Sequence, residues 1–385
     1  MSERLDLTLI MTWLMLVVTG LVMVVSATAA LSGGPTFYLT KLVFFTAIAV
    51  IVVAVLARVP LRFWEVVHKP CILLAIAMCV VVLLPGVSEE VKGSRRWIDL
   101  GFFQLQPAEV AKLLVVVYVA GYVARAGDRL ANSWPALLKP LGWIGLLCVL
   151  ILLQKDFGSV LVIVVLTGGM LFLGGVRARD FCVLAIVTCL CLGAAAVLEP
   201  YRVERLLTFR DPWAAAFGGG YQLTQALIAF GRGGFLGVGI GEGVQKLFYL
   251  PEPHNDFIYA VIAEELGLVG AIAILAVLGF VTIRCCRIAR DAVAERRVFA
   301  GMLAYGVALL LGIQTVINVG VNTGALPTKG LTLPFVSFGG NSLVVCSALI
   351  GLAIRAHYER RRVRPPIRGR SIDGPSPMAE KPHAV

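Results

Sequence analysis

The sequence predicts an all-α polytopic membrane protein with ten transmembrane helices, both termini cytoplasmic and a large extracytoplasmic loop between helices 7 and 8. Three observations carry that expectation. Of 385 residues, 59% are hydrophobic and only 15% charged, and the mean hydropathy is +0.89, outside the soluble globular range. Ten apolar segments separate along the chain: Leu7 to Ala30, Leu42 to Leu56, Cys71 to Gly86, Pro107 to Ala124, Leu141 to Leu153, Ser159 to Gly175, Phe181 to Leu198, Asp256 to Ile283, Phe299 to Asn322 and Val336 to Ile354. Lys and Arg gather in alternate connections and in the C-terminal tail, which puts both ends inside under the positive-inside rule.

The first segment follows only six residues and lacks a small-residue cleavage site, so it is expected to stay as a span that also starts insertion. Segments shorter than about 17 residues must lean on neighbours or on local thinning of the bilayer. The net charge of +11 comes from the inside bias and the Arg-rich tail and gives no support to nucleic-acid binding. The nine cysteines lie in apolar spans or, as Cys285-Cys286, open a cytoplasmic loop. With none in the outer loops, neither a disulfide framework nor a zinc site is expected. One membrane domain is expected over 1–360, with the extracytoplasmic loop at 199–255. Residues 361–385, rich in Arg, Pro, Ser and Gly, are expected to form a disordered basic cytoplasmic tail.

In chain order, the first connection with chemistry is Val87 to Gln106, which holds Lys92-Gly93-Ser94-Arg95-Arg96-Trp97-Ile98-Asp99. Arg95 and Arg96 beside Trp97 suit an interfacial phosphate clamp, or equally a belt tryptophan with two solvated arginines; the residues alone leave both open. Pro107 suits the first turn of the fourth span, where its missing N–H is harmless. Glu109 and Lys112, at i and i+3, share a helix face and can pair. A lone charge at a helix centre costs roughly 2.5 to 3.5 kcal/mol on insertion scales, so the pair is cheaper than either member alone. Asp156, after the fifth span, adds another carboxylate on the same side.

The long loop, Glu199 to Asn255, is polar and irregular, which a chain this apolar retains for function. It carries ten glycines between Gly218 and Gly243, and its charges balance: Arg202, Arg205, Arg210, Arg232 and Lys246 stand against Glu199, Glu204, Asp211, Glu242 and Glu252. An anion site there must come from local arrangement, with glycines letting backbone N–H groups approach a ligand. His254 and Asn255 close the loop. Asn255 is expected to cap the eighth span and so place Asp256 in its first turn. There the helix dipole favours the carboxylate while low dielectric disfavours its charge, giving a base of moderate strength. Glu264 and Glu265 follow about 12 to 13.5 Å deeper. Glu109, Lys112, Asp156, Asp256 and Glu264 all fall in the outer half of the bilayer or at its rim, which argues for chemistry or binding at the outer leaflet and against a proton path across the membrane.

Five runs occur in order: Lys92-Gly93-Ser94-Arg95-Arg96-Trp97-Ile98, Gln106-Pro107-Ala108-Glu109-Val110-Ala111-Lys112-Leu113, Gly219-Gly220-Tyr221-Gln222-Leu223, Leu250-Pro251-Glu252-Pro253-His254-Asn255-Asp256-Phe257, and Leu326-Pro327-Thr328-Lys329-Gly330-Leu331-Thr332-Leu333-Pro334 with Ser337-Phe338-Gly339-Gly340. Together they resemble the signature runs of the SEDS family, over nearly the whole chain from about Leu5 to Arg360. Arg210-Asp211-Pro212-Trp213, Gln245-Lys246-Leu247 and the Leu-Pro-Thr-Lys-Gly run are more similar to the division branch of that family than to its elongation branch.

The resemblance implies an inverting glycosyltransferase that polymerises lipid II into glycan strands at the outer face of the bacterial inner membrane, at the division septum. It implies lipid II and the growing undecaprenyl-linked strand as substrates. Its implied partners are a class B penicillin-binding protein, an FtsI-type transpeptidase, and the FtsQ, FtsL and FtsB division proteins. It implies Asp256 as the catalytic base, Glu109 and Lys112 as shapers of the cavity, and Arg95, Arg96, Arg202, Arg205, Arg210, Lys246 and His254 as substrate contacts. A divalent cation, Mg2+ or Mn2+, is compatible with that chemistry as a partner for the pyrophosphate, though no ligand cluster declares it. Asn255 departs from the threonine common at that position. Rival readings are an elongation polymerase, a lipid II flippase, which should have polar residues leading through both halves of the bilayer, and a scaffold, which would need no interfacial aspartate.

Overall fold

The structure, a computed structural model, describes residues 6–29, 34–88, 94–99, 101, 103–197, 208–327 and 330–362. Its helices are α1 (Leu7–Ala27), α2 (Gly34–Leu56), α3 (Leu61–Val81), α4 (Pro107–Ala126), the short α5 (Arg129–Asn132), α6 (Trp134–Leu153), α7 (Phe157–Leu173), α8 (Ala178–Val197), α9 (Tyr221–Gly233), α10 (Ile258–Ala294), α11 (Val298–Asn322) and α12 (Gly340–Arg362). An antiparallel ribbon of β1 (Ile98–Asp99) and β2 (Gln104–Leu105) precedes α4, pairing Ile98 with Leu105. Among the described residues nine helices are long and apolar enough to cross a membrane, and the apolar α7 has 17 residues. Each predicted segment falls on one of these ten. The tail expected at 361–385 lies outside the described residues from 363 onward, as do Arg202 and Arg205.

Local chemistry starts several helices. Asp6 Oδ1 accepts from the Leu9 N–H at 3.2 Å at the head of α1, and Asp156 Oδ1 accepts from the Ser159 N–H at 3.1 Å at the head of α7; each satisfies an N–H that the helix itself cannot. Pro107 occupies the first turn of α4 with Glu109 beside it, as the dipole favours. In the bundle α4, α11 and α12 are largely buried, whereas α2 and α8 turn most of their apolar surface outward. That inside-out pattern is what lipid permits, because exposed Leu, Val and Phe have no aqueous penalty there.

One face of the bundle gathers both ends of the chain. Asp6 pairs with Arg284 at 2.7 Å, Arg360 with Asp291 at 2.6 Å, and Glu359 Oε1 accepts from the Leu61 N–H at 2.9 Å. The start of α1 and the end of α12 therefore share one side, as an even number of crossings requires. The basic residues Arg284, Arg287 and Arg290 carry α10 past the predicted end at Ile283 to Ala294, because a helix leaving the bilayer can continue in water once its polar side chains are solvated.

The long loop holds two features that the glycine count hid. Its second half contains the 13-residue helix α9, and the segment after α9 docks into a break in α10 at Gly267, where φ is +66°. A continuous helix would bond the Leu268 and Val269 N–H groups to the carbonyls of Glu264 and Glu265. Here those N–H groups donate to Gly234 and Phe235 at 2.9 and 3.2 Å, and the freed carbonyls accept from Val238 and Gly239, both at 3.0 Å. These four groups are thus re-paired by the loop, which is the condition for irregular backbone within a membrane domain. Gly237 makes this approach possible: any Cβ there would meet the Glu265 carbonyl oxygen.

Candidate functional site

Asp256 sits on the face opposite the termini and is half-buried. The expectation that Asn255 caps the eighth span is corrected: α10 begins at Ile258, the residue before it, Phe257, makes no side-chain cap, and Asp256 precedes the helix. The cap comes from another helix, since Asn322 Oδ1 in α11 accepts from the Ala260 N–H at 3.1 Å. Asn318 and Asn322 each donate to the Asp256 carbonyl at 3.0 Å. Asn318 also donates to the Leu331 carbonyl at 2.6 Å. This brings the segment after α11 against the aspartate, where a methyl group added at Gly330 would lie 3.1 Å from Asp256 Oδ2.

Aromatic packing fixes the approach to Asp256. His254 is buried between Tyr38 and Phe338, with ring centroids 5.0 and 5.4 Å away, and its carbonyl accepts from the Phe338 N–H at 2.8 Å. Burial lowers the imidazole pKa below 6.5, partly offset by Glu252, whose Oε2 lies 3.9 Å from His254 Nε2. The ring is therefore neutral at pH 7. A histidine whose folded pKa is below its unfolded value contributes its full stability above about pH 6.5 and loses it as the pH falls further, since the unfolded chain then binds the proton more readily. The melting temperature in detergent is expected to fall between about pH 7 and 5.5, and His254→Gln to flatten part of that slope. An unchanged slope in the variant would remove His254 as its source.

The buried lysines that the sequence singles out are held in pairs. Lys112 Nζ meets Glu109 Oε1 at 2.6 Å inside α4, the lysine fully buried. Lys246 is 2% exposed; its ammonium meets Glu265 Oε1 at 2.5 Å, Ser26 Oγ at 2.8 Å and the Gly241 carbonyl at 2.7 Å. Glu264 beside it accepts from the Val244 N–H at 2.8 Å. Lys246 thus ties the loop to α10 and α1 and is enclosed, not presented to a head group. Arg96 donates to the carbonyls of Gln154 and Lys155 at 3.2 and 2.7 Å, closing the end of α6. Arg95 and Arg210 are exposed. Asp156 accepts from Gln106 at 3.3 Å, and Asn341 donates to the Gln104 carbonyl at 2.7 Å, so the connection before α4 is joined to α7 and α12. Among the described residues no three His, Cys, Asp or Glu side chains converge to cage a cation.

The sequence profile of the FtsW/RodA/SpoVE family, described as cell cycle proteins, matches residues 6–362. The chain belongs to this family. It is 43% identical over 358 residues to the probable peptidoglycan glycosyltransferase FtsW of Coxiella burnetii, covering 92% of this chain and 96% of that one. It is 44% identical over 373 residues to the probable peptidoglycan glycosyltransferase FtsW of Alcanivorax borkumensis, covering 95% and 96%. Among solved structures, it superposes on a chain of a peptidoglycan synthase complex, described as coordinating polymerization and crosslinking, with a TM-score of 0.78 and 27% identity, covering 92% and 98%. The rod shape determining protein RodA of Thermus thermophilus gives a TM-score of 0.69 at 26% identity, covering 92% and 97%. The SEDS resemblance is borne out, and with it the polytopic helical fold.

Within this family fold, the residues that sequence reasoning passed over are Asn318, Asn322, Tyr38 and Ser26, and Phe338 was read only as part of a signature run. The asparagines carried a usable signal: two amides at i and i+4 in a mostly apolar span are expensive in lipid unless they bond to something. Tyr38 carried none, because a Tyr in a membrane segment is ordinary.

Proposed function

We infer that this chain is a peptidoglycan glycosyltransferase that polymerises lipid II into glycan strands during septal division. The observation that carries the reading is the half-buried Asp256 carboxylate, whose backbone is fixed from α11, in a chain similar over nearly its whole length to proteins named FtsW. Such a carboxylate can take the proton from the sugar 4-hydroxyl of the acceptor as that oxygen forms the new bond to the anomeric carbon of the donor strand. The bond from that carbon to undecaprenyl pyrophosphate breaks, the pyrophosphate leaves with the electron pair, and direct displacement inverts the centre. The proton on Asp256 then passes to water. General-base assistance of this kind contributes typically 10²- to 10⁴-fold.

The remaining groups take supporting roles. The Glu109–Lys112 pair shapes a polar wall without net charge. The exposed guanidiniums of Arg95 and Arg210 are the described candidates for the pyrophosphate, to which Arg suits bidentate contact. A class B penicillin-binding protein of the FtsI type, with FtsQ, FtsL and FtsB, completes the assembly at the septum, where its transpeptidase would cross-link the strands as they emerge.

The test sets polymerase against flippase. The purified chain with a transpeptidase-inactive class B partner, given labelled lipid II and no other polymerase, should yield glycan strands on a gel. A preparation that makes no strands but moves lipid II between leaflets of a vesicle would establish the flippase instead.

A further inference from the structure

We propose that Asn318 and Asn322 are positioning residues for the polymerisation reaction, holding the Asp256 backbone and the segment from Gly330 to Leu333 at one fixed separation. The inference rests on Asp256 being the base. Both amides are buried, at 1% and 0% exposure, and a buried amide destabilises unless its donors and acceptor are used. Most of their bonds leave their own helix. Asn318 Nδ2 donates to the carbonyls of Asp256 at 3.0 Å and Leu331 at 2.6 Å. Asn322 Nδ2 donates to the same Asp256 carbonyl at 3.0 Å and to the Asn318 carbonyl at 2.9 Å, while its Oδ1 accepts from Ala260 at 3.1 Å.

Three pieces of chain meet at this pair: the residue bearing the carboxylate, the first turn of α10, and the strip that runs beneath the carboxylate. An asparagine side chain suits each contact because it offers donors to carbonyls and an acceptor to an N–H from one short group. Aspartate would face the Asp256 carbonyl with a second oxygen. Alanine at 318 would take the side-chain donor from the buried Leu331 carbonyl and one of two from the Asp256 carbonyl, and let the strip at Gly330 drift relative to Asp256 Oδ2. A shift of about 1 Å between a base and the proton it removes is enough for a loss on the order of a hundredfold in rate. The asparagines touch neither reacting atom; they act through the Asp256 main chain.

Two readouts on the full chain in complex with a transpeptidase-inactive class B partner test this. Hydrogen exchange of Asn318→Ala should rise at least tenfold in peptides covering 256–261 and 330–333, with α3 and α6 unchanged. Strand synthesis from lipid II should lose at least tenfold in kcat, with KM within about threefold. Asn318→Ser, which keeps one donor, should recover part of both. Unchanged exchange at the two segments overturns the clamp, and raised exchange with unchanged kcat overturns its role in positioning. If Asn318→Ala fails to fold, Asn318→Ser carries the comparison; a loss of exchange protection spread evenly over all helices in that variant would also overturn the inference. An unmutated complex that makes no strands fails the polymerase reading itself, while the exchange data decide the clamp separately.

Discussion

Glu109→Ala and Lys112→Ala should each severely destabilise the protein, and the double variant should be less damaged than the sum of the two. The ion pair is 2.6 Å long and its lysine is fully buried, so removing one partner strands a charge in low dielectric. Breaking a buried pair from one side costs about 3 to 5 kcal/mol, whereas removing both charges can be close to neutral. The contrast within the same chain is Arg179–Asp180, where the arginine side chain is 78% exposed; pairs of that kind contribute about 0 to 1 kcal/mol. Melting temperature and yield of folded protein in detergent should therefore rank the double variant above at least one of the singles, with strand synthesis following the same order. A double-mutant cycle in which the two losses add would show that Glu109 and Lys112 do not act as a pair.

Much of this architecture was legible because lipid imposes simple rules. Apolar length marked ten segments, Arg and Lys marked the inner connections, and Glu109 and Lys112 declared their partnership by spacing. Boundaries failed where the rule changed from burial in lipid to solvation. Thus α3 extends from Leu61 through Arg62, Glu65 and Lys69, and α10 runs on to Ala294, because charged residues at a membrane surface do not stop a helix. The cap of α10 failed for another reason. Asn255 had a capping side chain but lies two residues before the cap position at Phe257; Asn322, 62 residues from the N–H it accepts, took the job, and no local rule sees such a partner.

The site was legible in its chemistry and illegible in its support. Asp256 and Glu109 stand out as carboxylates in an apolar chain. Lys246 stood out too, as a cation near a presumed pyrophosphate, yet its buried bonds to Glu265 and Ser26 make it a tie for the loop. The difference was not available locally, since Ser26 lies on α1, far away in sequence. The same holds for the exchange of hydrogen bonds at Gly267: ten glycines suggested backbone N–H groups open to a ligand, while the structure uses Gly237 and Gly267 to let two backbones touch.

The reaction itself is tested most directly by Asp256→Asn. The α11 asparagines bond to the carbonyl of residue 256 and not to its carboxylate, so the variant keeps the backbone clamp and the size of the side chain while losing the base. The measurement is the rate of strand formation from labelled lipid II by the purified complex with an inactive transpeptidase, beside the affinity of the same preparation for lipid II. The rate is expected to fall by about 10²- to 10⁴-fold with affinity within about threefold, because uniform binding does not depend on the base. Strand formation at the unmutated rate in Asp256→Asn would contradict the assignment of Asp256 as the group that removes the acceptor proton.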